Sequence, residues 1–119
     1  MRALILVALG GALGSMARYG VGMALAAWAG LSFPFGTLVV NVLGCFLIGL
    51  ALAAGWGAEH PLRLLLVTGF LGGFTTFSAF GGETIELMRA AAPLKAFLNI
   101  AANILLGLLA TWLGFSLIK

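Results

Sequence analysis

Charge is scarce in this 119-residue sequence: 8% of its residues are ionisable Asp, Glu, Lys or Arg, three acidic and six basic. A formal charge of +3 spread over so few groups makes no basic stripe, and without one there are no phosphate counterions to displace. Nucleic acid is thereby excluded as a partner. A single cysteine and a single histidine exclude a disulfide framework and any four-ligand Cys/His zinc site. Enzyme chemistry has little to work with, since His60 and Glu59 share a joint with Pro61 and find no catalytic partners along the apolar runs. What the sequence does have is apolar surface, 63% of its residues with a mean hydropathy of +1.22, well above the roughly half that suits a soluble domain. The chain reads as an integral membrane protein with lipid as its solvent.

Crossing roughly 30 Å of hydrocarbon takes about 20 apolar residues of α-helix. Four such runs are present, Ala3 to Ala29, Phe35 to Trp56, Leu62 to Met88 and Ala96 to Ile118. Pro34, Pro61 and Pro93 punctuate the joints between them. The expected fold is all-α, with residues 1–119 forming one domain of four transmembrane helices. Arg2 and the apolar run after it imitate a signal peptide, but the run continues past Arg18 with small residues at helical spacing, which suits a retained helix better.

Arg2, Arg63 and Lys119 fall on one side of such a bundle; Arg89, Lys95 and, leaning that way from within its span, Arg18 fall on the other. Loop charges normally set orientation, and this balance sets almost none. Either one of these few charges decides the orientation, or the balance permits insertion both ways and pairing of two copies as an antiparallel homodimer.

Polar residues inside the spans are costly and need partners, cavities or roles. Gly10, Gly14, Arg18 and Gly22 recur every four residues in the first span, a small-residue stripe suited to close helix packing. Arg18 within it must snorkel, pair, or face water and anions. The second span carries Thr37 and Asn41 one turn apart, with Gly44 and Cys45 after them. Asn41 suits an interhelical hydrogen bond, or two donors for an anion; Cys45 suits an inert buried position. Asn99, Asn103, Gly107 and Thr111 make a second stripe on the last span. In the third span, Gly69 to Glu83 reads GFLGGFTTFSAFGGE, and glycine costs about 1 kcal/mol per helical position relative to alanine. A break is expected from Gly72 to Ser78, with freed carbonyls able to hold a small cation; a glycine-kinked packed helix is the competing reading.

The runs GGALGSMARYG (Gly10 to Gly20), FPFGTLVVNVLGCFLIG (Phe33 to Gly49) and GFLGGFTTFSAFGGE resemble the small four-helix fluoride channels of the CrcB, or Fluc, family, over essentially the whole chain. The resemblance implies an antiparallel, dual-topology homodimer in the cell inner membrane, with two fluoride pores and one central structural sodium ion. It implies passive fluoride export that relieves toxicity after fluoride enters as hydrogen fluoride. By motif match, Phe77 and Phe80 resemble the pore phenylalanines and Asn41 the pore asparagine. Gly72 and Thr75 resemble the residues whose backbone carbonyls hold the sodium, two from each subunit. Arg18 matches a first-span arginine near a pore vestibule, and Ser78 and Thr111 resemble hydroxyls of a polar track. Ala79 and Gly81 depart from the usual TTFSTFS run, and Asn103 stands where serine is more typical.

Fluoride is small and strongly hydrated, so a selective pore must replace its water with close donors and exclude larger halides by width. Asn41, Ser78 and Thr111 offer donors, and phenylalanine the positive edge of its ring. One rival is a small proton-coupled exporter of cationic drugs, which needs a midplane carboxylate; the first span has none, and Glu83 and Glu86 lie toward the end of the third. Another is a non-transporting scaffold, which accounts for the stripes but not for a clustered break with paired phenylalanines.

Overall fold

The computed structural model describes residues 1–118; Lys119, one of the charges in the orientation balance, lies outside them. The protein is all-helical, with four helices long and apolar enough to cross a membrane and no strand among the described residues. Helix α1 spans Arg2–Ala29 and α2 spans Phe35–Ala54. The third crossing, Arg63–Arg89, is composite. A π-wound stretch, Arg63–Leu71, runs into one α-turn, α3 (Gly72–Phe74), then into two extended residues, and then into α4 (Phe77–Arg89). The last crossing is α5, Pro93–Ile118.

The chain turns where its residues favour turning. Helix α2 stops two residues before the expected Trp56 because Gly55 takes a left-handed φ of 70° and returns its N–H to Leu52 O at 3.1 Å. Helix α5 starts three residues before the expected Ala96. Pro93 opens it, since a first-turn residue needs no N–H and proline's fixed φ already suits a helix.

The molecule is 47 Å along its longest axis, enough for a bilayer with its headgroups at about 40–45 Å. Leu9, Leu13, Met16, Leu105, Leu108 and Trp112 face outward, while Val40, Phe74, Phe80 and Ala110 are among the few buried apolar residues. A soluble bundle would reverse that distribution. Helix α2 packs along α5, and α1 packs along the π-wound stretch and α3. The second contact is backbone against backbone: a Cβ on Gly69 would lie 2.9 Å from Gly10 Cα. The small-residue stripe of α1 thus lets two helices touch without side chains between them.

Candidate functional site

The third crossing breaks at two residues. Thr75 (φ −83°, ψ 158°) and Thr76 (φ −153°, ψ 116°) are extended, inside the window where the glycine cluster predicts it. A break at membrane depth frees carbonyls from the first half and N–H groups from the second, and these need partners. Thr75 serves the first half, sending both its N–H and its Oγ1–H to Leu71 O, each at 3.0 Å. Thr76 caps the second, its Oγ1 accepting from Ala79 N–H at 3.1 Å.

Side chains from two other helices complete the pairing. Asn41 of α2 grips the Thr76 backbone on both sides: its Oδ1 accepts from Thr76 N–H at 2.8 Å and its Nδ2 donates to Thr76 O at 3.1 Å. The second Nδ2 hydrogen goes to Asn103 Oδ1 at 3.0 Å, so both donors of this amide are engaged. From α1, Arg18 Nε donates to Gly73 O at 3.0 Å. A polar chain continues along α5. Asn103 Nδ2 donates to Asn99 O at 2.8 Å and to Asn99 Oδ1 at 3.1 Å; Asn99 Nδ2 donates to Thr84 Oγ1 at 2.9 Å; Thr84 Oγ1 donates to Phe80 O at 2.7 Å. Asn99, wholly buried, is therefore a satisfied polar group tying α5 to α4.

These elements enclose a cavity of about 450 Å³ lined by Asn41, Gly44, Gly72, Thr75, Thr76, Phe77, Phe80 and Asn103, among others. The rings of Phe77 and Phe80 stand 5.4 Å apart and tilted by 53°. Phe80 is buried and Phe77 is 83% exposed, so one ring sits within the protein and the other at its surface. Five residues singled out in the sequence meet here: Asn41, Phe77, Phe80, Gly72 and Thr75.

The other three lie elsewhere. Ser78 is exposed, 3.3 Å from Thr76 Oγ1, and is not part of this lining. Thr111 spends its hydroxyl on Gly107 O at 3.1 Å and packs its backbone against Gly49 of α2. Arg18 lines a second cavity, about 330 Å³, with Tyr19, Thr37, Thr76, Ala79 and Glu83. There Thr37 Oγ1 donates to Glu83 Oε1 at 2.6 Å, while the buried Glu83 Oε2 has no hydrogen-bond partner. Thr76 shares both cavities and carries the Asn41 clamp, a part the sequence reading missed. Its signal was the doubled threonine within the glycine-rich run.

No group of three His, Cys, Asp or Glu side chains that could hold a metal occurs among the described residues. Arg18 and Asn41 supply side-chain donors to the Gly73 and Thr76 carbonyls, and no described side chain donates to those of Gly72 or Thr75. Gly72 is also exposed on the single copy.

The fold and site define a multi-pass membrane protein whose third crossing is opened within its length beside a cavity lined by phenylalanine rings and amides. The chain belongs to the CrcB family: the family described as CrcB-like protein, Camphor Resistance (CrcB), matches residues 5–115. A relative from Dehalococcoides mccartyi named fluoride-specific ion channel FluC is 44% identical over 117 residues, covering 96% of this chain and 90% of its own. Similar proteins of that name occur in Rhizobium etli (strain CIAT 652), 47% identical over 96% of this chain and 94% of its own, and in Hydrogenovibrio crunogenus, 48% identical over 93% and 86%.

Proposed function

We propose that this protein is a fluoride-selective channel that lets fluoride leave the cell passively across the inner membrane and so relieves its toxicity. The observation that carries this reading is the cavity at the break, where Asn41, Phe77 and Phe80 converge; relatives named fluoride-specific ion channels support it. A dehydrated fluoride needs close, weak and replaceable partners. Ring edges supply positive quadrupole at short range while narrowing the path. Asn41 gives fluoride a hydrogen only by releasing Asn103 Oδ1 or Thr76 O, so ion binding exchanges one hydrogen bond for another rather than filling a vacant donor. Ser78, near the exposed ring, offers a hydroxyl at the mouth. Thr111, outside the lining of this cavity and bonded to Gly107 O, is left out of the path at the break. Arg18 brings positive charge to the second cavity, which serves as a vestibule.

The functional unit in this reading is an antiparallel homodimer with two pores and one structural sodium ion on its axis. The Gly72 and Thr75 carbonyls fit as half of a four-oxygen set, being free of side-chain donors in one copy, with the same pair from a second copy as the other half. Sodium there would supply fixed positive charge between the pores and hold the two copies together. A proton-coupled cation exporter would rely on Glu83, but Arg18 lines the same cavity and repels the cation such a carrier must bind.

Efflux from liposomes containing the purified protein, read with fluoride and chloride electrodes, tests the reading. Fluoride is expected to leave at least 100-fold faster than chloride. Absent fluoride flux, or equal flux of the two halides, would overturn it.

A further inference from the structure

Gly10 and Gly14 are the first two members of the four-residue repeat on α1, and both lie against the backbone of the third crossing, Gly10 beside Gly69 and Gly14 beside Phe70. The next member, Arg18, comes level with the place where that crossing opens. Where the partner is wound, the repeat supplies a residue without a side chain; where it parts, it supplies a donor.

We propose that Arg18 is a positioning residue of the break: its Nε–H latches the Gly73 carbonyl, and this donor, rather than the positive charge, fixes the geometry of Gly72 to Thr76. The bond is 3.0 Å long and joins residues 55 apart in sequence. Gly73 is seated closely on α1, since a Cβ there would lie 3.0 Å from Ser15 Oγ and 3.1 Å from Ser15 N, so its backbone lies directly against the helix that carries Arg18. Asn41 holds Thr76 from α2. The break is thus held by two latches from two helices, one at Gly73 ahead of the extended pair and one at Thr76, its second residue. A carbonyl released by the break would otherwise sit in a low-dielectric interior with no donor, which is costly. Arg18 uses Nε, the guanidinium nitrogen nearest its stem, and the same residue lines the second cavity with Thr37 and Glu83. The positive charge is delocalised over the whole guanidinium, Nε included, so donor and charge are told apart only by substitution.

Glutamine and methionine make that separation. Counting from Cα, the side-chain nitrogen of glutamine occupies the position of Arg Nε without the charge, whereas methionine puts a methyl group there, with the same reach and no donor. Hydrogen exchange of the full-length protein in lipid nanodiscs, read by mass spectrometry on peptides covering residues 72–79 and on peptides from α5, reports opening of the break against the remainder of the fold. In Arg18→Met the 72–79 amides are expected to exchange at least 10-fold faster than in the wild type, with α5 unchanged; in Arg18→Gln they stay within about threefold of the wild type. Equal acceleration in both variants assigns the effect to charge and overturns the proposal, as does unchanged exchange in Arg18→Met. If methionine prevents assembly, glutamine and lysine decide. A donor latch requires Arg18→Gln to protect the break at least as well as Arg18→Lys, which keeps the charge but carries its nitrogen one atom further out, and the reverse order overturns it.

The consequence for a cation rests on the sodium reading above. The sodium concentration that half-protects the same peptides should rise at least 10-fold in Arg18→Met and not in Arg18→Gln. A wild type indifferent to sodium would sink the sodium reading alone, because the comparison of variants requires no cation.

Discussion

The third and fourth crossings both carry polar residues through the membrane, yet one breaks and the other does not. Helix α5 holds Asn99, Asn103 and Thr111 at intervals of four or eight residues in unbroken helix, because their amides and hydroxyl bond to neighbouring side chains or to the helix's own carbonyls. The third crossing places two glycines before two threonines and parts at the threonines, and the backbone groups it frees are taken by Asn41 and Arg18 from other helices. Polar side chains alone do not open a transmembrane helix. Opening needs weak helix formers and, from outside, donors and acceptors for the backbone groups released.

Substitutions that remove partners from the two crossings should therefore differ in cost. The largest effect is expected for Asn41→Leu, which leaves the Thr76 N–H and C=O both unpaired and so destabilises by roughly 2–4 kcal/mol. Asn99→Leu removes bonds to side chains that can find other partners and should cost only about 1–2 kcal/mol. Reversible unfolding in mixed micelles measures both, and equal costs would break the distinction between the crossings. Thr76→Val removes the cap on Ala79 N–H and should cost about 1 kcal/mol in the same assay. Ser116→Ala removes an exposed hydroxyl that returns to Trp112 O within α5 and should change stability by less than about 0.5 kcal/mol. A Ser116→Ala cost matching that of Thr76→Val would show that hydroxyls at the break have no special role.

Much of this was legible in the sequence. Glycine cost located the break to within a few residues, and the phenylalanines three apart on the following helix do share a cavity with Asn41. Other features depend on what sequence does not carry. The π-winding of Arg63–Leu71 leaves an apolar run that looks like any other. Asn41 was readable as a donor, but which way its amide faces is decided by the Thr76 backbone, 35 residues away. Thr111 shares a stripe with Asn103, yet eight residues of helix separate them by about 12 Å. One meets the break and the other meets Gly49. The arginine in the glycine repeat was visible as an anomaly, while its partner, Gly73, depended on how closely α1 lies against the third crossing.

In the proposed channel the ion's path is the cavity at the break, and Phe80 is its buried ring. Phe80→Ile, reconstituted in liposomes after its fold and oligomeric state have been matched to the wild type, decides this through a fluoride electrode. A fall in fluoride efflux of at least 10-fold with assembly unchanged is the expected result; efflux equal to that of the wild type would place the ion's path elsewhere.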